Sequence, residues 1–253
     1  MGITLLNKNF INTFFIASVA LISTACSNVE EVNSDDIATS EIWARFAVYS
    51  TDNNSSTSEA SLLVGGPHSN TYLDLSESDT LQVLLNGSSP QTMVKDPTTS
   101  PHNVYHSTYD NTNSGAGGIN YRFSFNRTNH PSASNSSVSL PLPVSNIQFN
   151  PEESFSRALD NITMSWDPVE DEKISINVKG SCINTYNRNN ILDTGILTIA
   201  ANSLINATES TVNSCPLIFT FTRTKSGAID KTFGEGGIIE AHSSRTAEIA
   251  SRP

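Results

Sequence analysis

The sequence predicts an all-β protein made of two antiparallel β-sandwich domains. Apolar and polar residues alternate with a period of two through most of the chain, clusters of Gly, Pro and Asn separate these short runs, and no stretch carries a convincing amphipathic helix pattern. A length of 253 residues allows one large or two ordinary β domains. The expected organisation is an export signal over residues 1–25, a lipidated N-terminus with a flexible tether over 26–40, a first sandwich over 41–146 and a second over 147–253.

The N-terminal segment carries one cation, Lys8, followed by an apolar run from Phe10 to Ile22 that ends in Ser23-Thr24-Ala25-Cys26. The run is too short to span a bilayer as a mature helix, and it closes on small residues as a cleaved signal does. Small residues directly before a cysteine resemble the lipobox of bacterial lipoproteins, although Ser23 stands where an aliphatic residue is usual. The resemblance implies cleavage before Cys26, acylation of its thiol and amine, and anchoring in a lipid bilayer by two or more chains. Ser27 in place of Asp points to the outer membrane, with the protein facing the periplasm or the outside. Ordinary signal cleavage and secretion of a soluble protein is the alternative, since Ser23-Thr24-Ala25 also satisfies the small-x-small rule.

Three cysteines leave one over in an exported protein. Cys182 and Cys215 lie together in the second half, where an oxidising compartment would let them pair, and Cys26 then remains for lipid. Two buried free thiols are the alternative reading of Cys182 and Cys215.

From Ser27 to Ser40 the chain is acidic and poor in apolar residues, which reads as a solvated tether. Strand patterning begins at "EIWARFAVYS": Ile42, Ala44, Phe46 and Val48 fall on one face, Trp43, Arg45 and Tyr49 on the other. Similar runs follow at "SEASLLV", "TYLDL" and "DTLQVLLNG", the last closing on an Asn86-Gly87 turn signal. In "INYRFSFNRT" Tyr121, Phe123 and Phe125 alternate with polar residues, and Pro141 and Pro143 push "SVSLPLPV" toward a sheet edge. A boundary is expected near Ser145 to Pro151. Beyond it lie "ITMSW", the acidic turn "DPVEDE", "KISINVKGSC", "GILTIA" and "CPLIFTFTR", with "TRTKSGAIDKTFGEGG" reading as a long hairpin loop. Trp166 near Cys182 and Cys215 resembles the core Trp and inter-sheet disulfide of Ig-like domains. Those domains place Trp between the cysteines, so the resemblance extends only to an Ig-like or fibronectin-like sandwich.

A formal charge of -11 argues against nucleic acid, whose binding needs cations against phosphates, and against a polybasic membrane patch. His102 and His106 have helical metal-ligand spacing, but Pro97 and Pro101 precede them, the composition is that of a strand, and Asn103 stands where a zinc protease has Glu. His68, His130 and His242 read as loop residues. Neither Asp167, Glu170, Asp171 and Glu172 nor Asp74, Glu77 and Asp79 matches a calcium loop. The glycines of "SGAGGINY" and "FGEGGIIE" precede strands, which favours turns over a phosphate cradle. No nucleophile elbow exists, and paired carboxylates for glycoside hydrolysis depend on the fold.

No catalytic residue, metal or cofactor is therefore assigned. The expected function is a non-enzymatic envelope module that binds protein or glycan through loops at the sandwich ends. A carbohydrate-active enzyme and a purely structural envelope component are the alternatives. Aromatics such as Trp43 and Tyr49 on an exposed sheet face would favour glycan, and two acids in a cleft would favour hydrolysis.

Overall fold

The computed structural model describes residues 29–51, 55–99, 103–109, 117–207 and 213–253; the signal segment and Cys26 lie outside them. In chain order the strands are β1 (Glu30–Asn33), β2 (Ile42–Ser50), β3 (Ser56–Val64), β4 (Thr71–Asp74), β5 (Thr80–Leu85), β6 (Gln91–Thr92), β7 (Val94–Lys95), β8 (Tyr105–Tyr109) and β9 (Asn120–Asn126). They continue with β10 (Ala133–Ser139), β11 (Gln148–Asn150), β12 (Ser154–Ser156), β13 (Ile162–Ser165), β14 (Lys173–Lys179), β15 (Tyr186–Leu192), β16 (Ile196–Ile199), β17 (Cys215–Ser226) and β18 (Gly237–Arg252). The all-β sandwich architecture agrees with the sequence expectation.

One 11-stranded sheet runs through the molecule in the order β1-β4-β3-β2-β18-β17-β14-β15, with β7, β8 and β12 joined to its side. A four-stranded sheet, β10-β9-β5-β6, covers one end of it and a three-stranded sheet, β11-β13-β16, covers the other. Two apolar cores result. The first packs Phe46 on Phe123 with ring centroids 4.7 Å apart, and Phe233 parallel to Phe125 at 6.3 Å. The second sets Trp166 against Phe221 at 5.4 Å and Phe149 against Phe219 at 5.0 Å.

The division between the cores falls near Val144, but the end of the chain does not stay with the second. Phe233, Ile239 and Ala241 belong to the first core, while Ile249 belongs to the second. Strand β18 accounts for this: residues Gly237–Ser243 pair in parallel with β2, and Glu240–Ser251 pair antiparallel with β17. The sheet is thus mixed, with further parallel pairs between β1 and β4 and between β12 and β18.

Local chemistry places several elements as expected. Asn86 and Gly87 both adopt positive φ, at 46° and 75°, closing the turn after β5 in the conformation that Asn-Gly tolerates. Strand β10 lies at a sheet edge, with Pro141 and Pro143 just beyond it. Residues 227–236 connect β17 to β18, and Gly227 passes so close to the Ser137 carbonyl that a Cβ there would collide with it.

The tether expectation is corrected from Glu30 onward. Strand β1 pairs with β4 from Glu30↔Thr71 to Asn33↔Asp74, and Ser34 and Thr39 are buried. The physical reason is Arg127, itself buried. Its guanidinium donates to the carbonyls of Ser34 and Ile37, to Thr39 Oγ1 at 2.9 Å and to Asp79 Oδ2 at 3.1 Å. The backbone of an acidic, polar segment therefore closes over a buried cation, while Val32 and Ile37 pack on the first core.

Candidate functional site

Alternation along β2 buries Ile42, Ala44, Phe46 and Val48 and turns Trp43, Arg45 and Tyr49 to the uncovered face of the large sheet. Neighbouring strands extend that face in rows. Trp43 pairs with Leu63, which pairs with Tyr72; Arg45 lies between Ser61 and Ile238; Ala47 lies between Glu59 and Glu240; Tyr49 lies between Thr57 and His242. His106 stands beyond Glu59 on β8 and Thr224 beyond His242 on β17.

At the Trp43 end the face sinks into a depression of about 440 Å³, with Trp43, Leu63, Tyr72 and Ile238 among its walls and Arg45 and Ser61 as polar groups. That volume falls within the range of ligand sites. A smaller hollow of about 80 Å³ continues from it over Ala47 and Glu59, sharing Arg45, Ser61 and Val104. Ala47 forms the low point because its methyl group sits between long side chains on both flanks.

At the other end the Tyr49 and His242 rings stack at 5.0 Å with 10° between planes. His242 Nδ1 is 3.0 Å from Thr224 Oγ1, and His242 Nε2 is 3.8 Å from Glu240 Oε2. Burial pushes the His242 pKa down, partly offset by the Glu240 charge, so the imidazole is neutral at pH 7. Burial also raises the Tyr49 hydroxyl, helped by the charge of Glu59. The result is an uncharged aromatic pair stacked on itself between two strands, beside the carboxylates of Glu59 and Glu240.

The other sequence candidates are placed differently. Cys182 and Cys215 form a buried disulfide with Cα atoms 5.8 Å apart, as expected. Cys26 and His102 lie outside the described residues, and His106 lies on strand β8 rather than on a helix. His242, expected in a loop, is corrected to the middle of β18; the expectation failed because its polar neighbours hide a strand whose partners are remote in sequence. Asp79 is consumed by Arg127 and Asp74 by Lys95. The acidic turn around Glu172 edges a polar depression of about 550 Å³ that adjoins the stripe, since Glu240 and Thr224 also line it, and it carries both signs of charge through Glu170, Asp171, Lys173 and Lys225. Among the described residues no group of three or more His, Cys, Asp or Glu side chains is placed to hold a metal ion. No helix among them is long and apolar enough to cross a membrane.

An all-β sandwich with an uncovered, aromatic-bearing sheet face is the class of structure these observations define. No family model and no curated protein matches the chain. Among solved structures, the chain is similar to the FN1–FN3 domains of chicken CNTN1, at 12% identity over 86% of this chain and 65% of that one, with a TM-score of 0.29. The chain thus spans less than two thirds of that structure, and a likeness at this level carries no argument.

Proposed function

We propose that this protein is an outer-membrane-anchored lipoprotein acting as a non-enzymatic binding module of the cell envelope, with the uncovered face of its large sheet as the recognition surface. The observation that carries the binding reading is the unbroken stripe Trp43, Arg45, Ala47, Tyr49, flanked on both sides by side chains of mixed chemistry. The anchor reading rests on Ser23-Thr24-Ala25-Cys26, and the buried Cys182–Cys215 disulfide suits an oxidising compartment.

A hydrolytic reading is favoured by one observation, the placement of Glu59 and Glu240 on either side of Ala47. Their backbones lie two strand spacings apart, about 9.6 Å, across the Ala47 hollow.

Two measurements test the proposal. The intact mass of the protein from its native membrane should show a start at Cys26 with acyl chains attached, and Cys26→Ala should release it; an unmodified Cys26 refutes the anchor. Retention of envelope components by the immobilised protein should be lost in Trp43→Ala while Glu59→Gln with Glu240→Gln cleaves no less glycan than wild type, both at background. Turnover that disappears in the double variant would instead establish the enzyme.

A further inference from the structure

We infer that the ligand of this face is a neutral, extended glycan chain lying along β2. The inference rests on the reading of the face as a recognition surface and names what it recognises.

Aromatic rings stand at both ends of the stripe, Trp43 and Tyr72 at one and the Tyr49–His242 stack at the other. Trp43 and Tyr49 are six residues apart on one strand, about 20 Å at the strand rise. A sugar ring presents an apolar C–H face and a rim of hydroxyls. The first suits an aromatic face, and the second suits the groups between the rings: Arg45 as donor, Glu59 and Glu240 as acceptors. Ala47 leaves the floor low between the two carboxylates, so a ribbon-like chain can lie across it.

Beyond His242 the same face continues over the second core in hydroxyls and amides and then in the Lys179–Ile218–Glu248 row. Thr222 bonds Ser244 at 2.8 Å, Thr220 pairs with Thr246, and Asn177 lies opposite Thr220. A protein partner would call for one desolvated apolar centre, whereas here the apolar groups are scattered: the depression at Trp43 and, apart from it on the same face, the exposed side chains of Val94, Leu192 and Ile218. The two carboxylates, on a chain of net charge -11, oppose uronates and sulfated sugars.

The test is titration of the purified full-length protein with cellohexaose and chitohexaose, followed by calorimetry and by tryptophan fluorescence, with a hexameric alginate as the anionic control. Saturable binding of a neutral hexamer is expected, with alginate at least tenfold weaker. Trp43→Ala and Tyr49→Ala should each weaken binding tenfold or more, and Glu59→Gln with Glu240→Gln, exposed enough to leave folding intact, should weaken it several-fold. Neutral hexamers that fail to bind at millimolar concentration overturn the inference. If envelope components are then still retained by wild type and lost in Trp43→Ala, the recognition surface survives and only its ligand is wrong; if nothing is retained, both readings fall.

Discussion

Arg223 Nε and Asp193 Oδ2 lie 2.7 Å apart with both side chains removed from solvent. Asp193 also accepts from Trp166 Nε1 at 2.6 Å, and Arg223 donates to the carbonyls of Leu142 and Pro143 at 3.1 Å. One buried ion pair thereby fixes the segment where the chain leaves the first core to the Trp at the heart of the second. Removing one partner strands a charge in a dry site. Asp193→Ala is expected to cost about 3–5 kcal/mol in urea unfolding, whereas Lys95→Ala, which breaks the part-exposed pair with Asp74, should cost under about 1 kcal/mol. Equal effects of the two would contradict this account.

The Cys182–Cys215 link closes a separation of 33 residues. On the chain-entropy model its loss should cost about 3–4 kcal/mol, read as a lower denaturation midpoint for Cys182→Ser with Cys215→Ser. Reductant should shift the wild-type midpoint toward the variant's and leave the variant's unchanged.

Three tyrosines of the first core set an alkaline limit. Burial raises Tyr105 well above the ordinary value of 10.0 and carries Tyr109 and Tyr121 to about 12. The unfolded chain ionises these groups near pH 10 while the folded chain holds their protons, so the stability they contribute is complete below pH 10 and lost as pH rises toward 12. Absorbance titration at high pH should show them ionising late, together with loss of the fold; early, non-cooperative ionisation would rule this out.

His242 sets a limit on the acid side. Its folded pKa lies below 6.5, so the unfolded chain takes up the proton first as pH falls and stability drops below that value. Glu240, Arg45, Tyr49 and Thr224 are the groups that face it. In His242→Gln the melting temperature should fall less between pH 7 and pH 5 than in wild type, and an unchanged pH slope would show that other groups govern it.

Much of this was legible locally. The alternation in β2 was read from "EIWARFAVYS", the Asn86-Gly87 turn from its dipeptide, and the pairing of Cys182 with Cys215 from cysteine count. Trp43 and Tyr49 were visible as the wrong-face aromatics of a strand. His242 was not, because it reaches Tyr49 through parallel pairing of strands 193 residues apart, which leaves no local signature. Arg127 and Arg223 were equally hidden: a lone cation in or just after a strand reads as surface until the fold closes carbonyls and a carboxylate around it. The shared sheet was hidden for the same reason, since a strand carries no mark of how many cores it will serve.

Strand β1 begins four residues after Cys26 and is already paired with β4. Fully extended, those residues reach at most about 14 Å, so an acylated Cys26 would moor the first core on a short leash rather than a stalk. Such a body cannot sweep the space above its membrane for a partner. It would have to meet what slides within a few nanometres of the lipid headgroups, and the end at which β1 enters the sheet would decide which way the stripe on β2 looks.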